Sequence, residues 1–227
     1  MIPTLIYLLL RRYRKTHPAK AEQLIATLRK TSKFLLFFVI LVLTCYFAFS
    51  QTNQLQYNIK RKGVQVGIIS FSQQYVGNKK VLRIESQVKT RVLFLFTAIG
   101  QEESIYENDI MIWSSVYQKL NGNEQLNNRT TLIGRNYVVS KGKHSEIISS
   151  YPISYNMICL YAKEPVDLLK VYSDRFQQFL DIQTIGDHHY RIKFPDGNYN
   201  EYFYSNGLCT KVEVHHRLYQ SSFELKN

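Results

Sequence analysis

The chain has 227 residues, a formal net charge of +12 and 45% hydrophobic residues. Residues 1–50 hold eight Lys/Arg and one acid, so +7 of the +12 lies there and only +5 remains for residues 51–227. No Lys/Arg cluster with interleaved aromatic residues follows, so the composition argues against a nucleic-acid-binding protein and favours one globular domain behind a basic segment.

A signal peptide is predicted by the apolar run 34–49, which basic residues precede. The small residues Ala48 and Ser50 suit the −3 and −1 positions of a cleavage site, which places the cut before Gln51. A helix of this length spans about 24 Å, less than the hydrocarbon core of about 30 Å. An uncleaved signal anchor is the alternative, and the positive-inside rule then also places residues 51–227 outside the cytoplasm. Both interpretations export the domain. A cleaved leader makes it periplasmic or secreted, and an uncleaved anchor holds it at the inner membrane.

Residues 1–33 form a basic N-terminal extension that makes this leader unusually long. One hypothesis is translation from a non-standard codon near Leu28, which would leave a leader of ordinary length. The other is a genuine cytoplasmic extension. A lipoprotein leader would need Cys45 as its lipidated residue, which the preceding Thr44 disfavours.

Period-two alternation predicts β-strands through most of residues 51–227. A hairpin turns at Lys62-Gly63 through either a two-residue or a three-residue loop, and Gly67 indicates a bulge or bend. A continuous strand is predicted over Val81–Ala98 and another over Ile110–Leu120. The polar segment Glu124–Arg135 loses periodicity and is interpreted as a mobile loop.

Further elements follow towards the C-terminus. Lys141-Gly142-Lys143 turns a hairpin, Ser154–Lys163 is the one helical candidate, and Phe223 and Leu225 belong to a terminal strand. These patterns predict an all-β fold of about ten to twelve strands, a strongly curled antiparallel sheet or incomplete β-barrel with at most one short helix.

The stretch 188–216 allows a residue-by-residue prediction. Asp196-Gly197 and Asn206-Gly207 both suit a type I′ turn between strands at about 188–194, 199–204 and 208–216. Two-residue loops would then pair Ile192 with Glu201 and Tyr199 with Val214. The predicted core face carries the apolar members of these strands: Tyr190, Ile192, Phe194, Tyr199, Phe203, Leu208, Val212 and Val214.

This pairing places Glu201 on the apolar face, where an ionised carboxylate is costly unless it is paired or hydrated. It is either a polar anchor in a ligand cavity, or a residue at the rim of the sheet, or a residue whose predicted register is slightly wrong. The same pairing puts His189 and His215 at opposite ends of the sheet, which argues against a shared metal. Glu102-Glu103 is interpreted as a solvated turn.

Ligand binding is predicted at Glu201 together with five aromatic residues of the curled sheet: Phe94, Phe96, Trp113, Tyr190 and Phe203. Core packing is the alternative role for these rings. No nucleophile elbow, P-loop, metal motif or glycine fingerprint occurs, so we expect no enzyme activity, no cofactor and no metal.

Cys159 and Cys209 are the two cysteines after the apolar run. In an oxidising compartment they could form one disulfide, and two unpaired buried thiols are the alternative. The predicted pairing places Cys209 opposite Tyr204 on the polar face, where an accessible thiol favours the bridge Cys159–Cys209.

Three stretches carry a resemblance: Tyr57 to Gly67, Leu160 to Pro165, and Tyr190 to Leu208 with its Pro195-Asp196-Gly197 and Asn206-Gly207 turns. Over most of residues 55–226 the chain resembles a family of exported bacterial β-proteins known only as a domain of unknown function. It is more distantly similar to the curled-sheet folds of lipoprotein carriers, which implies an apolar groove facing the envelope space.

Two functions therefore compete. The first is an exported envelope protein that binds an apolar or lipid-like ligand inside the curled sheet. The second is a structural or protein-interaction module of the envelope, which would engage a partner through an edge strand or through residues 121–135.

Overall fold

The computed structural model describes residues 52–91, 95–142, 144–149 and 152–226. A compact unit extends over Gln51–Asn227. Its strands are β1 (Asn53–Arg61), β2 (Val64–Val76), β3 (Lys79–Arg91), β4 (Leu95–Glu107), β5 (Ile110–Leu120), β6 (Asn123–Ile133), β7 (Asn136–Lys141), β8 (His144–Ser149), β9 (Lys170–Ser173), β10 (Gln178–Gly186), β11 (His189–Lys193), β12 (Tyr199–Ser205), β13 (Leu208–His216) and β14 (Tyr219–Leu225). One helix, α1 (Cys159–Ala162), lies between β8 and β9.

These strands form a single antiparallel sheet in the order β8-β7-β6-β5-β4-β3-β2-β1-β14-β13-β12-β11-β10-β9. Each half is a meander, and β1 joins the halves by pairing with β14, where Tyr57 lies opposite Leu225. The terminal strands β8 and β9 do not pair with each other among the described residues, so the sheet is not closed. The prediction of an all-β curled sheet is confirmed, with more strands than expected.

Turn chemistry explains the tight hairpins. Lys62 and Gly63 both have positive φ between Arg61 and Val64, so the open choice at this hairpin resolves to a two-residue turn. Asn206-Gly207 adopts the predicted turn, with both residues at positive φ. The register of β1 and β2 shifts beside Gly67, as its position indicated.

The predicted register between β11 and β12 is wrong by one residue. Gly197 donates its N–H to the carbonyl of Phe194 at 3.0 Å, and only Gly197 has positive φ. The turn is therefore centred on Pro195-Asp196, with Gly197 as the left-handed residue that follows, because Pro favours the second position of a type I turn. The loop is one residue longer than predicted, so each side chain of β12 changes face.

The structure pairs Arg191 with Glu201, where Ile192 was expected. Tyr202 and Tyr204 are buried on the core face, and Tyr199 and Phe203 take the opposite face. A bulge between Phe203 and Tyr204 then shifts the pairing with β13. Because of it, Tyr199 lies opposite His215 instead of Val214.

Two further predictions are corrected. The polar segment 124–135 is mostly strand β6, which pairs with β5 and β7, and is not a loop. Val81–Ala98 is not one strand, because β3 ends at Arg91 and the antiparallel β4 begins at Leu95. The predicted strand over Ile110–Leu120 is confirmed as β5.

The core is completed by residues 152–163, which we call the inner segment. Ile153, Ile158 and Leu160 are buried in the same cluster as Tyr57 and Tyr202 of the sheet. Only Cys159–Ala162 is helical, because the earlier half of the predicted helix extends alongside β9, with a parallel bridge from Asn156 to Tyr172. The described part of the chain contains no helix with the length and apolar character that crossing a membrane requires.

Leu160→Ala tests whether the inner segment holds the fold. Leu160 is 0% exposed. We expect the free energy of unfolding, measured by urea denaturation, to fall by about 2–5 kcal/mol, since the substitution leaves a cavity in the core. Leu169→Ala is the matched control, because Leu169 is 80% exposed and should change stability by no more than about 0.5 kcal/mol. Equal effects of the two substitutions would contradict the packing described here.

Candidate functional site

The predicted aromatic wall does not form. Tyr190 is buried on the core face and donates its hydroxyl to Glu164 at 2.8 Å. Phe203 lies on the opposite face, and Phe96 is exposed. Trp113 precedes the buried Ser114 in β5, so its side chain lies on the other face of the sheet. The guanidinium of Arg129 lies 5.9 Å from the centroid of the Trp113 ring.

Phe94, the fifth predicted ring, lies outside the described residues. Among the other four, Tyr190 alone belongs to the core cluster. The rings therefore do not share one concave surface with Glu201.

A buried polar network connects the inner segment to the opposite wall of the sheet. Asp174, which follows β9, accepts hydrogen bonds from Ser114 on Oδ1 and from Asn156 on Oδ2, the latter at 2.7 Å. Asn156 also donates to Ser104 at 2.7 Å and accepts from Tyr106 at 2.7 Å. Both carboxylate oxygens of Asp174 are thus engaged, so the network holds chain segments together.

Glu102 lies on the same face of β4 as Ser104, so Glu102-Glu103 is not the predicted turn. Burial and then the charge of Asp174 raise the pKa of Glu102 to about 7. Burial raises the pKa of Asp174 to about 6, against the hydrogen bonds from Ser114 and Asn156. The buried carboxyl of Asp174 and the half-buried carboxyl of Glu102 therefore interact electrostatically, which strand pairing alone did not predict because Asp174 comes from a distant part of the chain.

Cys159 and Cys209 are both free thiols, so the predicted disulfide between them is absent. Cys159 donates to the hydroxyl of Tyr106 at 3.2 Å. Cys209 does lie opposite Tyr204, but both are buried on the core face. Burial raises the pKa of Cys209 to about 12 and also raises that of Cys159, so neither thiol is a ready nucleophile.

The outer face of β11, β12 and β13 carries a second polar cluster. Arg191, Glu201 and Glu213 form one row across the three strands. His189 lies on one side of this row and His215 on the other, so the two imidazoles remain separated, as the predicted register also had them. We call these five residues the glutamate–histidine cluster.

In each glutamate of the glutamate–histidine cluster, one carboxylate oxygen accepts a hydrogen bond from a cationic side chain and the other oxygen faces an imidazole. Glu201 Oε1 accepts from Arg191 Nη2 at 2.6 Å, and its Oε2 lies 2.9 Å from His189 Nε2. Glu213 Oε1 accepts from Lys211 Nζ at 2.5 Å, and its Oε2 lies 3.5 Å from His215 Nε2. The arrangement therefore repeats on β12 and β13.

Aromatic stacking orients the two imidazoles. The ring of His189 stacks on that of Phe203 with 4.0 Å between ring centroids. The ring of His215 stacks on that of Tyr199 with 4.3 Å between centroids. Glu201 is only 7% exposed although it is on the outer face, and both of its carboxylate oxygens are engaged, by Arg191 and His189. Burial tends to raise the pKa of Glu201, but hydrogen bonds from Arg191 and His189 outweigh it and hold the pKa below its usual value.

The sequence contained a signal for this cluster. Pro195 before Asp196-Gly197 indicates a type I turn with a following glycine, which shifts the register by one residue and aligns Arg191 with Glu201. The alternative interpretation of Glu201 as a displaced residue was therefore the correct one for its position.

Asp174→Asn tests the buried carboxylate. Between its ordinary pKa of 3.8 and about 6, folded Asp174 holds a proton that the unfolded chain has lost. Its stabilisation is therefore complete below pH about 4 and is lost as pH rises through 6. The unfolding free energy of the wild type should therefore fall by on the order of 2–3 kcal/mol between pH about 4 and about 6. We expect Asp174→Asn to lack this fall.

Urea denaturation at a series of pH values measures this difference. Asp181→Asn is the control, because the Asp181 side chain is 77% exposed and should leave the pH dependence unchanged. A pH profile of Asp174→Asn that parallels the wild type would contradict the assignment.

Comparison with known proteins gives the family. No curated protein matches the chain. Among solved structures, the chain is similar to the crystal structure of a β-barrel-like protein of the domain of unknown function DUF1849 from Brucella abortus, with 9% sequence identity and a TM-score of 0.49 over 79% of this chain and 97% of that one. Residues 57–226 match the domain of unknown function DUF6134, which confirms the expected resemblance to a β-rich family of unknown function. The chain therefore belongs to the DUF6134 family.

Proposed function

We propose that residues 51–227 are an exported interaction domain of the cell envelope that binds an extended segment of a partner protein at the open end of its sheet. The observation that carries this proposal is that the chain's own inner segment occupies the interior of the sheet, while the terminal strand β8 is paired on one side only among the described residues. Export rests on the apolar leader at 34–49.

A groove lies where the two ends of the sheet meet. It has a volume of about 390 Å³ and is lined by both ends: Glu146, Ile147, Ile148, Tyr172, Gln177, Gln178 and Phe179. Ile147 of β8 is 68% exposed, and Phe179 of β10 is also exposed. The groove thus combines apolar side chains with a strand edge that has no partner within the described ranges.

An extended peptide suits both features. Its backbone would pair with the free N–H and C=O groups of β8, and its alternate side chains would cover Ile147 and Phe179. Glu146 adds a carboxylate to the lining, so a segment with a basic residue among apolar ones fits best. The polar segment 121–135 was the other predicted contact. Most of it forms β6, which has a neighbouring strand on each side.

The filled interior disfavours the apolar-ligand alternative. A carrier needs a cavity lined by convergent apolar groups. Here Ile153, Ile158 and Leu160 are part of the core that the sheet surrounds. The predicted aromatic residues that the structure describes do not converge on one surface. Organic extraction of the purified full chain is expected to release no stoichiometric lipid-like molecule, and a bound lipid would favour the carrier.

A photo-crosslinking amino acid at Gln178, which is exposed in the groove, tests the proposed contact in the native host. We expect a discrete protein adduct that Ile147→Lys abolishes, because charge on an edge strand opposes strand addition. Val64→Lys is the matched control: Val64 is 65% exposed but lies on β2, which pairs on both sides, so the adduct should persist.

The position of the crosslinked peptide decides the mode of binding. An adduct in an extended segment of the partner, lost only with Ile147→Lys, supports the proposal. An adduct that both lysine variants remove, or that neither removes, would contradict docking at β8.

A further inference from the structure

The glutamate–histidine cluster contains a polar atom without a partner. His215 Nε2 is buried and makes no hydrogen bond, and the nearest carboxylate oxygen, Glu213 Oε2, lies 3.5 Å away. One oxygen of Glu201, one of Glu213 and a ring nitrogen of His215 lie within 4.8 Å of one another. A buried nitrogen that faces two carboxylates without a bond needs an explanation.

The pairing of the two glutamates adds to this observation. Glu201 lies directly opposite Glu213 on adjacent strands, a like-charge arrangement that is usually destabilising. Arg191 and Lys211 each hold an Oε1 atom, so the cations engage one side of each carboxylate. The Oε2 atoms remain turned towards imidazole nitrogens.

We propose that Glu201, Glu213 and His215 bind a divalent transition-metal ion of the zinc class. Imidazole nitrogen and carboxylate oxygen are ligands that Zn²⁺ accepts, and three protein ligands leave a fourth position for water or a further group. This site lies on the outer face of β12 and β13, away from the residues that line the groove, and does not depend on the function proposed above.

The spacing of the donor atoms fits such an ion. Bonds of about 2.0–2.1 Å in a tetrahedron place neighbouring ligand atoms roughly 3.3 Å apart. Glu213 Oε2 and His215 Nε2 are already 3.5 Å apart, and the Glu201 oxygen lies within 4.8 Å of the other two donors, so closure requires that Glu201 approach them. The donors project from paired strands, which limits the entropy lost on binding.

The surrounding residues act as the support that metal ligands require. Arg191 orients Glu201, Lys211 orients Glu213, and the stack on Tyr199 fixes the ring of His215. His189 contacts Glu201 Oε2 at 2.9 Å and supports that ligand from outside the group of three donors.

Titration of the tag-free, chelator-stripped full chain with Zn²⁺ and with Co²⁺ tests the site. We expect saturable binding of one ion, a higher melting temperature with the ion present, and visible d–d absorption of four-coordinate Co²⁺. His215→Ala and Glu213→Gln should each weaken binding by more than about tenfold and remove the Co²⁺ spectrum.

His216→Ala is the matched control, because His216 is the next residue of β13 and stacks on Tyr219 instead. Its affinity should stay within about twofold of the wild type. Circular dichroism of each metal-free variant checks that it folds. No binding to the wild-type chain, or equal loss in His216→Ala and His215→Ala, would overturn the proposal and leave the cluster as a network of ion pairs.

Discussion

The structure depends on one constraint: a sheet with an apolar concave face must curl around something that covers that face. Here the cover is the chain's own inner segment, whose Tyr161 packs edge-on against Tyr57 and Tyr202 of the sheet. The sheet winds around this segment, and its two halves are joined through β1 and β14. The inner segment therefore supplies the apolar surface that the concave face of the sheet buries.

Hydrogen bonds fix the inner segment at both of its ends. On one side Asn156 and Asp174 connect to Ser104 and Ser114 across the interior. On the other, Glu164 accepts hydrogen bonds from His188 and Tyr190. Buried polar groups of this kind are costly unless every partner is in place, so they select one arrangement of the crossing chain over others with similar apolar burial. The open groove between β8 and β9 is what this arrangement leaves uncovered.

Much of this fold was accessible from the sequence because its signals are local. Asn206-Gly207 specified its turn through backbone conformations that few other residues tolerate, and the alternation over Ile110–Leu120 defined β5. The long-range contacts were not accessible. Asp174 meets Ser114 across 60 positions, and no periodicity in either strand indicates which distant residue will fill the space opposite it.

The error at β12 shows how one turn controls the interpretation of a site. With a two-residue loop, Glu201 faces the core and indicates a ligand cavity. With the observed loop around Pro195-Asp196, it faces outwards beside Arg191 and lies opposite Glu213. Because side chains alternate along a strand, a single added residue exchanges the faces of the whole strand and brings Glu201 to the outer face, where His189 contacts it and Glu213 and His215 lie nearby. The chemistry inferred for Glu201 is therefore set less by the residue itself than by the conformation of the loop five residues before it.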